Sequence, residues 1–221
     1  MKKTAAIIVA AGRGARFGSA KQFARLGGKP ALEWSLEAFS AHPRIGEIVL
    51  VLPDEEAGPG LRKAWPKLSA VVKGGAKRQD SVFEGFRRLD PRLAEIVLVH
   101  DGARPLVTKA VIQRVMDEAA KSGAAVPVLP MEDTVKEIAG GEIVRTLDRA
   151  RLARVQTPQG FAFSLFKEAL DKARADGFYG TDDAALVERM GVRVVTVLGE
   201  ARNMKITSPT DMKIAEALLD D

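Results

Sequence analysis

Short, unbroken apolar runs recur along this chain, and each is followed by a segment whose apolar residues return at helical spacing. A strand that is apolar at every position must be covered on both faces. The alternation therefore predicts an α/β fold: a Rossmann-like, largely parallel sheet with helices on either side. Ala5–Val9, Ile48–Leu52, Ala70–Val72, Ile96–Val99 and Ala125–Leu129 are the strands read in this way. Leu32, Leu36 and Phe39 lie on one face of a helix beginning near Pro30. Val82, Phe86 and Leu89 mark the next, and Val111, Ile112, Val115, Met116 and Ala119 a third that stops at Gly123. With 221 residues, the chain is expected to form a single domain, 1–221.

The alternation breaks after Leu129. Thr134–Ile138 and Ile143–Leu147 flank Gly140-Gly141, the pattern of a β-hairpin. Residues 131–160 are thus expected to form a protruding β-arm. A hairpin of this size is marginal alone in water, so it is expected to lean on something, a second copy of the chain being the first candidate. Beyond it, helices are read near Leu165–Ala173 and Asp183–Met190, and a strand over Val192–Leu198. Ser208, Pro209 and Asp211 are the N-cap, N1 and N3 residues of a final helix.

Composition excludes several classes of function. The absence of cysteine rules out thiol nucleophiles, zinc-thiolate sites and disulfides, and agrees weakly with a cytoplasmic location. No run of about 18 apolar residues is present, so no membrane span is expected. The N-terminal apolar run halts at Gly12-Arg13-Gly14 and reads as a buried strand rather than a signal peptide. A net charge of +5 with only 5% aromatic residues, and no basic run interleaved with aromatics, argues against a nucleic-acid platform. Cations gathered in one phosphate-receiving pocket account better for the excess.

The segment from Ala10 to Gln22 carries the strongest chemical signal. Gly12, Gly14 and Gly18 follow a first strand, where bare backbone lets N–H groups approach an anion. The spacing misses the dinucleotide G-x-G-x-x-G pattern and lacks the Gly-Lys-Ser/Thr of a P-loop. Two cations, Arg16 and Lys21, stand beyond the first glycines instead. Such a loop suits a triphosphate, with amides on the outer phosphates and cations at the α-phosphorus.

Together with this loop, an ordered set of short motifs resembles the 2-C-methyl-D-erythritol 4-phosphate cytidylyltransferase family. They are Ala10-Ala11-Gly12-x-Gly14-x-Arg16, Lys21-Gln22, Gly74-Gly75, Asp80-Ser81-Val82, His100 to Pro105, Asp133 to Lys136, Asp148-Arg149, Gln156 to Gln159, Thr181-Asp182-Asp183 and Asn203 to Thr207. They span nearly the whole chain. The family usually has proline before the lysine where this chain has Ala20, and its loop is longer. The resemblance implies a nucleotidyltransferase domain that converts CTP and the alcohol phosphate into the cytidine-diphosphate alcohol and pyrophosphate, in isoprenoid precursor synthesis. No cyclase domain of the kind sometimes fused downstream is expected within these residues. The attacking phosphate monoester is already largely ionised, its second pKa being about 6, so neither a protein nucleophile nor a strong base is required.

By the same resemblance, Arg16 and Lys21 stabilise the transition state, while Arg149 and Lys205 position the second substrate. Ala10, Ala11, Gly12 and Gly14 would line the nucleotide, with Gly75 and Ser81 near the cytosine. Asp101 would hold the ribose, the alcohol or a metal-bound water, Arg104 would face a phosphate, and Thr134 and Arg149 would come from a dimer partner's arm. Mg²⁺ is expected, held mainly by triphosphate oxygens, with no direct protein ligand beyond Asp101. His100 reads as a structural histidine. A ribitol 5-phosphate cytidylyltransferase is the nearest alternative. A non-catalytic nucleotide-binding module would be expected to lack Arg16, Lys21 or Asp101, and a glycosyltransferase would want an Asp-x-Asp motif in mid-chain.

Overall fold

The structure, a computed structural model, describes residues 3–12, 21–54 and 58–219. Strand β1 (Thr4–Val9) is followed by the small hairpin β2 (Arg25–Leu26) and β3 (Lys29–Pro30), then α1 (Ala31–Ser40), β4 (Ile45–Leu52), α2 (Gly58–Ala64), β5 (Leu68–Lys73) and α3 (Arg78–Phe86). Next come β6 (Ile96–Asp101), α4 (Lys109–Ser122), β7 (Ala124–Pro130), and the arm strands β8 (Lys136–Ala139) and β9 (Glu142–Thr146). The chain returns through β10 (Ala153–Val155) and β11 (Gln159–Ala162) to α5 (Phe163–Ala175), α6 (Ala184–Glu188), β12 (Val195–Leu198) and α7 (Pro209–Ala217).

Among the described residues the main sheet has eight strands, ordered β10-β7-β11-β6-β1-β4-β5, with β12 on the other side of β7. The pairs β1–β4, β1–β6, β4–β5 and β7–β12 are parallel. The expected sheet is therefore present, and two antiparallel strands are added to it. One of them, β11, wedges between β6 and β7. Gly160 makes this possible, since a Cβ there would lie 2.7 Å from Val115 of α4. The five strands, the helices of the alternating half, the hairpin and the last helix all form, several with shifted ends. β4 starts at Ile45 rather than Ile48, the first arm strand at Lys136 rather than Thr134 and β12 only at Val195, while α3 ends at Phe86, leaving buried Leu89 in the following turn.

Continuous apolar strands make sense because neighbouring side chains enter different cores. Ile7, Val49 and Val97 pack beneath α3, α5 and α6, whereas Ile8, Leu50 and Leu98 pack beneath α1 and α4. A third small cluster joins Leu26, Leu106 and Ile206 to Met212 and Ala215 of α7. The last helix begins as expected, with the Ser208–Asp211 capping box and Pro209 in the first turn. The arm stands apart from these cores: β8 and β9 are exposed at every position, closed by Gly140 and Gly141 at φ 59° and 87°. Those left-handed angles are what a two-residue hairpin turn requires.

Candidate active site

Strand β1 has β6 on one side and β4 on the other, so the order of the sheet reverses there. Ligands of open α/β sheets bind beyond the strand C-termini at such a switch point. Val9 pairs with Asp101 in register, and the Gly102 N–H donates to the Val9 carbonyl at 2.9 Å. Ala10 donates to Val51 at 2.8 Å, and Gly74 to Leu52 at 2.8 Å. Four strand ends thus bring Ala10, Ala11, Gly75 and Asp101 to one edge. The approach leaves no room for larger residues. A Cβ on Gly74 would stand 2.3 Å from that of Ala11, and one on Gly75 2.3 Å from that of Asp80.

Asp101 is the electrostatic centre. Arg78 Nε donates to Oδ1 at 2.9 Å and Lys205 Nζ to Oδ2 at 2.6 Å. Burial alone would favour the neutral acid, but Arg78 and Lys205 outweigh it and hold the carboxyl well below the usual range. Arg78 also donates through Nη2 to Asp183 at 2.8 Å. Asp183, just before α6, is only 1% exposed in its side chain, and its pKa is pushed up chiefly by that burial.

The backbone around Asp101 is fixed as tightly. Its N–H donates to Thr157 Oγ1 at 3.0 Å, so the hydroxyl proton is left for His100 Nδ1, also at 3.0 Å. His100 must then carry its proton on Nε2 and donate it to the Arg104 carbonyl at 3.1 Å. Full burial pushes the His100 pKa down to about 3, so it stays a neutral structural bridge, as its sequence context implied. Arg104 is anchored by Nη1 on the Asn203 carbonyl at 2.8 Å, while burial lowers its own pKa. Gln156 Nε2 donates to the same carbonyl at 3.2 Å, and Ile206 N–H donates to the Ala103 carbonyl at 2.8 Å.

The structure therefore brings together Ala10, Ala11, Gly12, Gly75, Ser81, Asp101, Arg104 and Lys205. Ser81 does so in an unexpected manner. Its hydroxyl is committed within the turn, accepting from Gly75 N–H at 3.2 Å and donating to the Lys77 carbonyl at 3.1 Å. Gly14 and Arg16 lie outside the described residues. Lys21 opens a single 3-10 turn, with its side chain also outside the description. Thr134 and Arg149 are exposed on the arm, where Arg149 donates to the Glu132 carbonyl. Among the described residues no hydrogen bond or ion pair joins either to the Asp101 group. Reading the sequence missed Arg78 and gave Thr157 and Asp183 no role. Arg78 stands between the Gly74-Gly75 and Asp80-Ser81 motifs, which was the available signal.

A model of the 2-C-methyl-D-erythritol 4-phosphate cytidylyltransferase family matches residues 4–221. A protein of that name from Symbiobacterium thermophilum is 45% identical over 97% of this chain and 92% of its own length. The crystal structure of the Thermus thermophilus protein of that name is similar with a TM-score of 0.83 at 39% identity, covering both chains fully. A 4-diphosphocytidyl-2C-methyl-D-erythritol synthase from Anaerococcus prevotii gives a TM-score of 0.86 at 33% identity, over 100% of this chain and 97% of that one.

Proposed function

The chain belongs to the 2-C-methyl-D-erythritol 4-phosphate cytidylyltransferase family, and we propose that cations and fixed amides around the end of β1 carry its reaction without a covalent enzyme intermediate. It is a cytidylyltransferase of isoprenoid precursor synthesis. CTP and 2-C-methyl-D-erythritol 4-phosphate become 4-diphosphocytidyl-2-C-methyl-D-erythritol and pyrophosphate. One phosphate oxygen of the alcohol phosphate forms a bond to the α-phosphorus of CTP as the bond to the leaving pyrophosphate breaks.

The observation that carries this reading is Asp101, held at the switch point between Arg78 and Lys205 beside the bare backbone of Ala10 to Gly12 and Gly75. In this reading Ala10, Ala11, Gly12 and Gly14 follow the nucleotide, Gly75 and the turn braced by Ser81 face the base, and Arg16 and Lys21 stabilise charge at the α-phosphorus. Arg104 and Lys205 meet the incoming phosphate. Placement of two polyanions is the main barrier, and oriented cations lower it.

Mg²⁺ is part of the proposal. Among the described residues no cluster of three His, Asp or Glu forms a cage, and such a cage is not what this ion needs, because it keeps phosphate and water ligands. Asp101 suits the remaining role: each oxygen has a second lone pair beyond those taken by Arg78 and Lys205, free for the ion or a water of its shell. When bound, magnesium would neutralise triphosphate charge.

We further read residues 1–221 as one catalytic domain and 131–160 as an arm that completes the partner's site in a homodimer, supplying Thr134 and Arg149. The exposure of Ile138 at 68% and Ile143 at 65% supports this, as apolar side chains at a hairpin tip gain from a cover. A cytoplasmic location fits, and no helix among the described residues is long and apolar enough to cross a membrane. The test is pyrophosphate release from each of the four nucleoside triphosphates with methylerythritol phosphate or ribitol phosphate, with and without Mg²⁺. Release confined to CTP with methylerythritol phosphate and Mg²⁺ is expected, and preference for ribitol phosphate would overturn the assignment.

A further inference from the structure

Arg78 links two carboxylates that otherwise have little to do with each other. Asp183 sits before α6 with its side chain 1% exposed, where a carboxylate needs a cation beside it to stay ionised, and Arg78 Nη2 lies 2.8 Å away. Asp101 ends β6 and faces the site at 10% side-chain exposure. A guanidinium is planar, so donating from Nε to one acid and from Nη2 to the other fixes its plane and the carboxylate it meets. Asp183 is in turn held in place by its neighbours. Gln159 donates to Asp182 at 2.8 Å and accepts from Ala184 N–H at 2.9 Å. Beside the direct pairing of β11 with β6, Arg78 thereby ties the residue before α6 to the carboxylate at the end of β6.

The other cation on Asp101 has a different character. Lys205 is a single ammonium on a flexible stem, 38% exposed in its side chain. An ammonium has three N–H donors, so a lysine that also meets a substrate phosphate shares its charge between that anion and Asp101. A largely buried carboxylate with only a shared cation is poorly compensated unless a second, fixed cation stays with it. Arg78 is placed to be that cation, with its Oδ1 contact independent of the Oδ2 contact of Lys205.

We infer that Arg78 is a positioning residue for the transfer reaction, acting through Asp101: tethered to Asp183, it keeps the Asp101 carboxylate oriented and paired while Lys205 engages substrate. This rests on the reading of Asp101 as a site residue given above. Arg78 itself touches neither the α-phosphorus nor the attacking oxygen in this scheme.

A double-mutant cycle separates the possibilities, because residues acting through one another are not additive. Arg78→Ala should lower kcat/KM by about 10- to 100-fold and change the same parameter, kcat or KM, as Asp101→Ala. The double variant should be within about twofold of Asp101→Ala alone. Arg78→Lys should recover only part of the loss, as one ammonium cannot span both acids, and Asp183→Asn should show the same kcat-against-KM split in weaker form. Where Arg78→Ala fails to fold, as judged by circular dichroism, the cycle is run with Arg78→Lys. Losses that multiply in the double variant, or an Arg78 variant with unchanged kcat/KM, overturn the inference and leave the Asp101 reading intact. Near-normal turnover in Asp101→Ala overturns the site reading and this inference with it.

Discussion

The edge of the sheet around Asp101 and the β8–β9 arm solve opposite problems. Around Asp101, Arg78, Thr157, His100 and Lys205 converge from four separate stretches of chain, and the acid is 7% exposed. In the arm every strand residue is exposed, and the hairpin is held by its own contacts, such as Lys136 Nζ to Thr146 Oγ1 at 2.6 Å and Arg145 to Glu137 at 2.5 Å. One region has its geometry fixed by many partners within the chain, whereas the other leaves Ile138 and Ile143 exposed. A site assembled from both would have its nucleotide half preorganised and its alcohol-phosphate half dependent on assembly.

Catalysis should show the largest separation between these halves. Arg16→Ala and Lys21→Ala are each expected to lower turnover by about a hundredfold or more, the scale for loss of one transition-state donor, and equally at every protein concentration. Near-normal turnover in either variant removes that residue from the mechanism. On the arm, Ile143→Asp places a charge where an apolar contact is expected. Activity should fall about tenfold in dilute enzyme and recover as concentration rises, in step with the monomer–dimer equilibrium seen by sedimentation. Thermal stability of the monomer should hardly change, since Ile143 is 65% exposed. A loss independent of concentration would break the proposed division between the halves.

Acid should separate them in stability. His100 titrates at about 3 in the fold, against about 6.5 for an unfolded histidine. The unfolded chain therefore takes up the proton first, so stability is complete above pH 6.5 and declines as pH falls from there toward 3. Between pH 8 and pH 5 the decline should be about 2 kcal/mol from this group, read by urea unfolding. His42, whose pKa is also lowered chiefly by burial, adds in the same direction. In His100→Gln the pH 8 to pH 5 difference should shrink by most of that amount. An unchanged difference would show that His100 is not buried neutral, and the preorganised half would lose one of its supports.

The same contrast explains what could be read from sequence. Local rules were enough for the arm's hairpin, because Gly140-Gly141 announces its turn chemistry, and for the strands of the alternating half, because apolar runs report two-sided burial. They were not enough for β10 and β11. Ala153–Val155 and Gln159–Ala162 are three and four residues long, and tertiary pairing with β7 and β6 alone makes them strands. The helix Gly58–Ala64 begins Gly-Pro-Gly, where two glycines of low helix propensity outweigh the start signal of Pro59. At the site, Lys205 between Met204 and Ile206 resembles an exposed strand face as much as a ligand. Its partner Asp101 lies 104 residues away, and Asp183 lies 105 from Arg78. Contacts at such separations leave no periodicity. The motifs that resemble the family point to the first pair, and the second becomes visible only in three dimensions.

The smallest effect tests how far the preorganised half is over-determined. Ser208 caps α7, its hydroxyl accepting from Asp211 N–H at 3.3 Å while Asp211 accepts from Thr207 and Ser208 N–H at 2.7 and 2.8 Å. The helix this starts packs Met212 and Ala215 against Ile206, the residue after Lys205. Ser208→Ala leaves one N–H of the first turn without its cap and should cost about 1 kcal/mol in urea unfolding. If the Asp101 group depended on α7, kcat/KM would fall with it. The expected outcome is kcat/KM within about twofold of the parent, because Ile206 N–H still donates to Ala103 and Asn203 Nδ2 to the Thr157 carbonyl at 2.8 Å, both independent of the cap. A tenfold loss of kcat/KM accompanying that small destabilisation would place the final helix among the elements that set Lys205 against Asp101, and the preorganised half would then extend to the last helix of the fold.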